Sequence, residues 1–247
     1  MKNELYLSTA YLDDLMVRMA HHSTAIEGNS LTQGETKSVL IDGYVPRAID
    51  LRELNEVLNY KAFTKEMVRF LQEGREVNGE FIKEIHAVLC CEAIESVPGK
   101  FKTQPNMVIG ADFIPSPPYR VPMDIEQWRQ DLDYQLNNAA EYESAVARRF
   151  LGHIGGCRQH FRFERIHPFP DGNGRVGRAL MVYSALQQKL PPIVIPVDEK
   201  KKYINFLNTE DLNGFVEFCL ALQQKEVERI KILADERDKV LEIYTEE

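Results

Sequence analysis

Apolar residues recur at helical spacing over most of the chain. Over residues 9–27 they return every three or four positions and Gly28 follows, which predicts a helix that stops at this glycine. A shorter stretch of the same pattern predicts a helix over 32–41, and residues 51–74 form a strongly amphipathic segment that closes on a glycine. A further helix is predicted to begin near Asn78. The first third of the chain is therefore predicted to be helical.

The segment 98–122 breaks this pattern. It contains six prolines, and short β-favouring runs at 107–109 and 113–114 flank the turn-forming residues 110–112. This arrangement predicts a small β-hairpin between extended arms. The helical pattern then resumes, and helices are predicted over 124–138, 144–160, the segment that ends near Gln188, 199–207 and the segment from Gly214 onwards. The predicted fold class is mainly α with one small hairpin.

Composition narrows the functional classes. The 247 residues are 44% hydrophobic, enough for one large domain or a domain with an attached subdomain. With a formal charge of −8, the chain lacks the broad basic surface of a nucleic-acid binder. Any polyanion is therefore expected to bind at a local site. No apolar run reaches the ~20 residues that span a bilayer, and acidic residues interrupt the stretch where a signal peptide is apolar. The four cysteines lack metal-binding spacing, so we expect reduced thiols, a cytoplasmic location and no membrane partner.

The segment IHPFPDGNGRVGRAL, residues 166–180, combines features of an anion site. Gly172 and Gly174 allow backbone amides to approach a ligand closely, and the helix predicted to follow points its free amides to the same place. Arg175 and Arg178 are three residues apart and share a face of the first turn. The positive end of the helix dipole disfavours cations, so two arginines at this N-terminus indicate a site that binds two phosphate groups.

Two further side chains complete this candidate site. Asp171 is a carboxylate suited to Mg²⁺ bridged to the phosphates. His167 is the nearby group that can take up a proton at neutral pH. The alternative is a helix-capping loop, in which Asp171 is the cap, the arginines pair with surface acids and His167 is a core histidine.

Glu27 is a negatively charged residue at the C-terminal end of a predicted helix, whereas Arg175 and Arg178 are positively charged residues at the N-terminal end of another. It falls in the last turn of the first predicted helix, where a carboxylate meets the negative end of the helix dipole. Ser23 lies four residues earlier on the same face. The structural alternative is an exposed glutamate that the helix merely tolerates. Arg178, however, has the complementary sign and an equally unfavourable place.

The segment HFRFERIHPFPDGNGRVGR, residues 160–178, resembles the signature of the Fic family, His-Pro-Phe-x-Asp/Glu-Gly-Asn-Gly-Arg-x-x-Arg, and meets every fixed position. GKFKTQPNMVIGADFIPSPP is similar to the family's flap hairpin, and the resemblance extends from about residue 8 to residue 222. It implies a Fic-type helical bundle with a small β-hairpin flap. The implied divisions are an N-terminal helical region (1–75) with an inhibitory helix at about 9–28, a catalytic core (76–222) and a C-terminal helix (223–247).

The resemblance implies transfer of AMP from ATP to a Ser, Thr or Tyr hydroxyl of a target protein or of the chain itself. His167 would be the catalytic base, and Asp171 would bind the Mg²⁺ that bridges the α- and β-phosphates. The other motif residues would contact phosphates: Gly172, Asn173 and Gly174 as the anion hole, Arg175 at the β-phosphate and Arg178 at the γ-phosphate. A branch of the family with Lys in place of Gly174 acts as a kinase, so glycine favours AMP transfer; an unusual donor stays open.

The segment STAIEGN matches the family's inhibitory motif, Ser/Thr-x-x-x-Glu-Gly/Asn, as Ser23, Glu27 and Gly28. In the family this glutamate pairs with the second motif arginine and keeps the γ-phosphate from its productive place. The resemblance therefore places the chain in the class with an N-terminal inhibitory helix. We predict an ion pair between Glu27 and Arg178 and an enzyme that is largely off as purified.

The flap of Fic proteins docks an extended segment of the protein substrate through main-chain hydrogen bonds. Val108, Ile109 and Gly110 occupy the matching stretch and are expected to border the nucleotide as well. Tyr203 and Asn208 fall where the family contacts the adenosine, although a core or surface role is an open alternative for both.

Two other functions stay open at this point. The same residues would serve removal of AMP from a modified protein, with Glu27 positioning a water molecule. A nucleotide-sensing regulator without physiological transfer is a second alternative, although a binding module needs no base such as His167. A homodimer is expected by analogy only. One departure from the family is Lys102, which stands where the flap segment often has Arg.

Overall fold

Helices follow one another along almost the whole chain. The structure is a computed structural model that describes residues 7–94, 97–108, 113–140 and 145–234. Within these ranges the helices are α1 (Thr9–Ile26), α2 (Gln33–Lys37), α3 (Leu51–Glu73), α4 (Gly79–Leu89), α5 (Val121–Ala140), α6 (Ala145–Ile166), α7 (Asn173–Gln187), α8 (Lys200–Thr209) and α9 (Leu212–Leu233). The mainly α prediction is confirmed.

Helix ends lie where the capping residues of the sequence put them. Ser8 caps α1 by accepting from the Tyr11 amide at 3.1 Å, and Asn78 caps α4 in the same way. Gly74, which follows α3, adopts the left-handed conformation that favours glycine. The helix predicted over 32–41 begins at Gln33 and continues beyond α2 as a turn of π-helix over Ser38–Asp42.

The helix predicted over 144–160 is longer than expected. In the structure α6 continues to Ile166, because Phe163 and Ile166 keep the helical spacing and are both buried. This difference matters for the site. His167 directly follows the last residue of α6 instead of lying in a longer loop.

The predicted hairpin is not visible in the residues that the structure describes. No strand is assigned in these ranges, and Met107 and Ile114, which were expected in its two arms, are almost fully exposed. Residues 109–112, including Ile109 and Gly110, lie outside the described residues. The hairpin therefore stays a prediction.

Helix α7 is the central element of the fold. It packs against α1, α3, α4 and α6, and it is buried along almost its whole length. Its first turn, which carries the glycine and arginine motif, is consequently surrounded by side chains from other helices. Among the described residues, no helix combines the length and apolar character needed to cross a membrane.

Helix α9 is tied to α1 by a buried ion pair. Arg18 donates from Nη1 and Nη2 to the two carboxylate oxygens of Glu226, at 2.9 and 2.6 Å. The Tyr11 hydroxyl donates to the same carboxylate. All three side chains are buried, so the pair fixes α9 against the helix that ends at Glu27.

Glu226→Gln is expected to lower the free energy of unfolding by about 2 kcal/mol, because it removes two charged hydrogen bonds and leaves Asp14, 2.7 Å from Arg18 Nε, as the counter-charge of Arg18. The measurement is urea denaturation. Glu228→Gln on the same helix is the matched control: its pair with Lys231 is exposed, so its change should stay below about 0.5 kcal/mol. Equal effects of the two substitutions would contradict the expectation.

Candidate active site

The loop before α7 is closed by Asn173. Its side-chain oxygen accepts from the Phe169 amide at 2.8 Å, and its amide group donates to the Phe169 carbonyl at 2.8 Å. Gly172 lies between these residues in the left-handed conformation, with φ at 76°. Because the Asn173 side chain is buried and held by these two bonds, its backbone amide is the group best placed to contribute to an anion hole. The first-turn amides of α7 have no acceptor within the helix, so this end offers the donors that a candidate anion site needs.

Arg175 is buried beside this helix end without a short contact. Its Nη1 lies 3.5 Å from Glu56 Oε1, and its Nη2 lies 3.5 Å from Asp171 Oδ1. Its Nε has no hydrogen-bond partner within the described part of the chain. A buried guanidinium with unused donors is well placed to bind an oxyanion.

Arg178, in contrast, makes short hydrogen bonds to residues at the end of α1. Its Nε donates to Ser23 Oγ at 2.8 Å, and its Nη2 donates to the Ser23 carbonyl at 3.0 Å and to Glu27 Oε1 at 2.5 Å. The Tyr60 hydroxyl donates to Ser23 Oγ at 2.6 Å. The predicted ion pair between Glu27 and Arg178 is therefore formed, and Ser23 is part of it.

The Glu27 carboxylate lies directly over the first turn of α7. A Cβ atom placed on Gly174 would come within 2.4 Å of Glu27 Oε1 and 2.9 Å of Arg178 Nη1. Glu27 directly follows Ile26, the last residue of α1, and Gly28 comes next with φ at 107°. Burial works to raise the pKa of Glu27, but Arg178 and Arg175 outweigh it and hold the pKa below its usual range. Glu27 is thus ionised at neutral pH, and its carboxylate lies next to Gly174 and Arg178.

His167 lies one residue beyond α6 in a left-handed conformation, with φ at 48°. Such a conformation is strained for a residue other than glycine. The ring Nδ1 lies 3.3 Å from the Glu164 carbonyl, so this nitrogen carries the proton and Nε2 is left as the acceptor. Burial lowers the pKa of His167 to about 4. The imidazole is therefore neutral at pH 7 and able to accept a proton.

Lys102 and Asn106 brace the backbone around His167. The Lys102 amide donates to the Pro168 carbonyl at 2.8 Å, and its buried ammonium donates to Asn106 Oδ1 at 2.6 Å. Asn106 in turn donates to the Phe169 carbonyl at 2.8 Å. Lys102, at a place where the family often has Arg, thus connects the base of the predicted flap to the motif loop.

Asp171 is the candidate ligand for a magnesium ion. Its side chain is 50% exposed, and its Oδ1 accepts from the Gly172 amide at 2.6 Å. The described residues contain no group of three or more potential metal ligands. Mg²⁺ commonly uses one or two carboxylates together with substrate phosphates, so a single half-exposed carboxylate beside an anion site fits this metal.

The remaining predicted residues are Val108, Asn208 and Tyr203. Val108 is half-buried at the end of a described segment, and Asn208 is half-buried near the end of α8. Tyr203 is buried, and its hydroxyl lies 2.8 Å from His160 Nε2. Its hydroxyl also interacts with Arg178, and the adenosine contacts expected of Tyr203 and Asn208 stay predictions.

The sequence analysis did not identify four polar residues that contact the site: Glu56, Tyr60, His86 and Asn106. Glu56 and Tyr60 lie four residues apart on the buried face of α3, and His86 lies on the apolar face of α4. A polar group among apolar neighbours at helical spacing was the available signal. Asn106 lies in a loop and carried no such signal.

The fold is a helical domain with a candidate oxyanion site at the start of α7, and the neutral His167 and the carboxylate of Asp171 lie in the loop before that helix. The sequence profile of the Fic/DOC family matches residues 76–185. Over this segment, which is less than half of the chain, the sequence is similar to the Fic/DOC family.

Relatives and solved structures extend the similarity beyond this segment. Protein adenylyltransferase fic-1 of Caenorhabditis elegans is 28% identical over 85% of this chain and 40% of its own length. Protein adenylyltransferase Fic of Drosophila virilis is 28% identical over 91% of this chain and 41% of its own length. The chain therefore spans about two fifths of the length of these curated relatives.

Two solved structures share the fold. A Fic-domain signaling protein from Bacteroides thetaiotaomicron has a TM-score of 0.77 and 22% identity, over 90% of this chain and 87% of the other. A fragment of Fic-1 from C. elegans has a TM-score of 0.73 and 24% identity, over 92% of this chain and 66% of the other.

Proposed function

We propose that this protein is an autoinhibited protein adenylyltransferase, which transfers AMP from ATP to a Ser, Thr or Tyr hydroxyl of a target protein or of itself. The observation that carries the proposal is the neutral His167 beside the amides and buried arginines at the start of α7. The names of the curated relatives support the same reaction.

In the proposed complex the triphosphate lies against the first turn of α7. The amides at Gly172, Asn173 and Gly174 bind phosphate oxygens, Arg175 uses its free donors for the β-phosphate, and Arg178 orients the γ-phosphate. A magnesium ion held by Asp171 would neutralise phosphate charge. Catalysis then depends on positioning and electrostatic stabilisation rather than on a covalent intermediate.

His167 is the proposed base. Its Nε2 takes the proton from the target hydroxyl as the hydroxyl oxygen attacks the α-phosphorus. The new P–O bond joins AMP to the protein, and the bond from the α-phosphorus to the oxygen bridging to the β-phosphate breaks. Pyrophosphate leaves with that oxygen and its electron pair.

Glu27 supplies the proposed inhibition. Its carboxylate holds Arg178 at 2.5 Å and lies over Gly174, so the γ-phosphate and Glu27 compete for one guanidinium. ATP that binds with its γ-phosphate displaced is not aligned for attack at the α-phosphorus. Ser23 and Tyr60 keep Arg178 turned towards α1.

The remaining parts of the proposal concern the target and the assembly. The target segment docks along a flap hairpin around Val108–Gly110. The catalytic core extends over 76–222, wider than the family match, with the regulatory region in 1–75 and the C-terminal helix in 223–247. A cytoplasmic location and a homodimer also belong to the proposal.

The test is mass spectrometry of Glu27→Gly protein after incubation with ATP, Mg²⁺ and cell lysate. AMP adducts on the chain or on lysate proteins are expected, and their absence would overturn the proposed transfer. AMP released from previously modified protein, without new adducts, would favour the reverse reaction. Bound ATP without either product would favour a nucleotide sensor.

The pH dependence of kcat/KM follows from the lowered pKa of His167. Because kcat/KM reports the ionisations of the free enzyme and the free substrate, protonation of this base should reduce it only near pH 4, so His167 itself should cause no change from about pH 5.5 to 7.5. An unperturbed histidine would instead give a midpoint near its usual value of about 6.5. NMR titration of the His167 ring in the free protein separates this group from the titration of ATP, and a midpoint near 6.5 would contradict the expectation.

A further inference from the structure

His86 is a fully buried histidine that joins two distant parts of the site. Its Nε2 lies 3.0 Å from the carbonyl oxygen of Asp171, and its Nδ1 lies 2.7 Å from the amide nitrogen of Gly99. The imidazole stacks on the ring of Phe169, with centroids 3.8 Å apart and planes at 13°. The side chain comes from the buried face of α4.

The two hydrogen bonds allow only one tautomer. The Gly99 amide is a donor, so Nδ1 must accept and carries no proton. The Asp171 carbonyl is an acceptor, so Nε2 must carry the proton and donate. The environment of His86 therefore selects the neutral Nε2–H form.

The bond to Asp171 sets the direction of the peptide between Asp171 and Gly172. In a trans peptide the C=O and N–H groups point in opposite directions. A carbonyl held against His86 therefore turns the Gly172 amide away from α4, to the side on which Asp171 Oδ1 accepts from it at 2.6 Å. The amide already has an anionic partner in the free protein.

The other bond fixes the start of the predicted flap segment. Gly99 adopts φ of 78°, and a Cβ atom there would come within 3.1 Å of Ala87 and 3.2 Å of the Lys83 carbonyl. The chain at Gly99 is thus packed closely against α4, with its amide on His86. One imidazole consequently holds the base of the segment proposed to present the target and the loop proposed to bind phosphate.

We infer that His86 is a positioning residue for AMP transfer. It directs the Gly172 amide into the phosphate site, and it holds that site at a fixed position relative to Gly99, at the start of the predicted flap segment. This inference rests on the proposed function. A buried histidine that only fills the core would contribute to stability without any specific effect on phosphate binding. The two interpretations therefore differ in what they predict for ligands with and without phosphates.

Two substitutions separate the two bonds. The side-chain amide of Gln reaches the position of Nε2 and can donate to Asp171, whereas Asn reaches only the position of Nδ1 and can accept from Gly99. We expect Glu27→Gly/His86→Gln to bind ADP in the presence of Mg²⁺ within about threefold of the Glu27→Gly protein. Glu27→Gly/His86→Asn should bind it about tenfold more weakly.

Calorimetry with adenosine provides the matched ligand control. Adenosine lacks phosphates, so all three proteins should bind it equally. In transfer assays, the KM for ATP should be higher in the Asn variant, and the Gln variant should restore it in part. Equal losses of ADP and adenosine binding, or equal ADP binding by the Gln and Asn variants, would overturn the inference. If the Glu27→Gly parent itself binds no ADP or ATP, the proposed function fails and the inference with it.

The tautomer can be measured without any substitution. Nitrogen-15 NMR of the unmodified protein should show His86 protonated at Nε2 and unprotonated at Nδ1. The opposite tautomer would overturn the inference even if the variants failed to fold.

Discussion

Glu27→Gly is expected to raise AMP incorporation by about 10- to 100-fold. A charged hydrogen bond contributes about 1.5–3 kcal/mol, and about 1.4 kcal/mol corresponds to a factor of ten. The substitution removes the carboxylate that holds Arg178 at 2.5 Å, and it clears the space over Gly174. The measurement is incorporation of label from ATP radiolabelled at the α-phosphate.

Two controls separate relief of inhibition from a general effect of glycine. Glu217→Gly makes the same exchange at an exposed position of α9 and should leave incorporation unchanged. Glu27→Gln keeps a side chain of the same size but lacks the charge, so it should activate to an intermediate level. An unchanged rate in Glu27→Gly would remove the regulatory role of this residue.

His167→Ala, made in the Glu27→Gly protein, is expected to reduce transfer by about 10²–10⁴-fold, the usual contribution of a general base. ATP binding should stay within about threefold, because the amides and arginines that contact phosphate are unchanged. The measurements are label incorporation and calorimetry on the same samples.

The matched control is His21→Ala. His21 is a half-buried histidine whose Nδ1 lies 3.0 Å from the Leu31 carbonyl, outside the phosphate site. Its substitution should leave incorporation near the level of the Glu27→Gly parent. Equal incorporation by His167→Ala and the parent would eliminate His167 as the base.

The helices could be predicted because their signals are local. The apolar spacing before Gly28 and the cap at Asn78 place α1 and α4 within a residue or two. The end of α6 was placed too early, since a helical pattern that runs into a proline-rich motif has no local mark at its last turn. The hairpin prediction depends on residues 109–112, which the structure does not describe.

The pairing of Glu27 with Arg178 could also be predicted, although the residues are far apart in the chain. Each charge lies at a helix end that disfavours it, and the family motif associates the two. The structure adds the atoms: Ser23 accepts from Arg178, and the Tyr60 hydroxyl donates to Ser23. Tyr60 was missed because a tyrosine on the buried face of α3 is indistinguishable from ordinary core packing.

The sequence by itself determined the helical pattern, the chemistry at the start of α7 and the misplaced charge at the end of α1, because spacing and residue type are local properties. Only the tertiary structure decided which polar atoms meet. The loop residue Asn106 braces the backbone at Phe169, and Glu56 faces Arg175. The neutrality of His167 was also decided there, because burial by packed helices lowers its pKa and no stretch of sequence specifies how much water the fold removes.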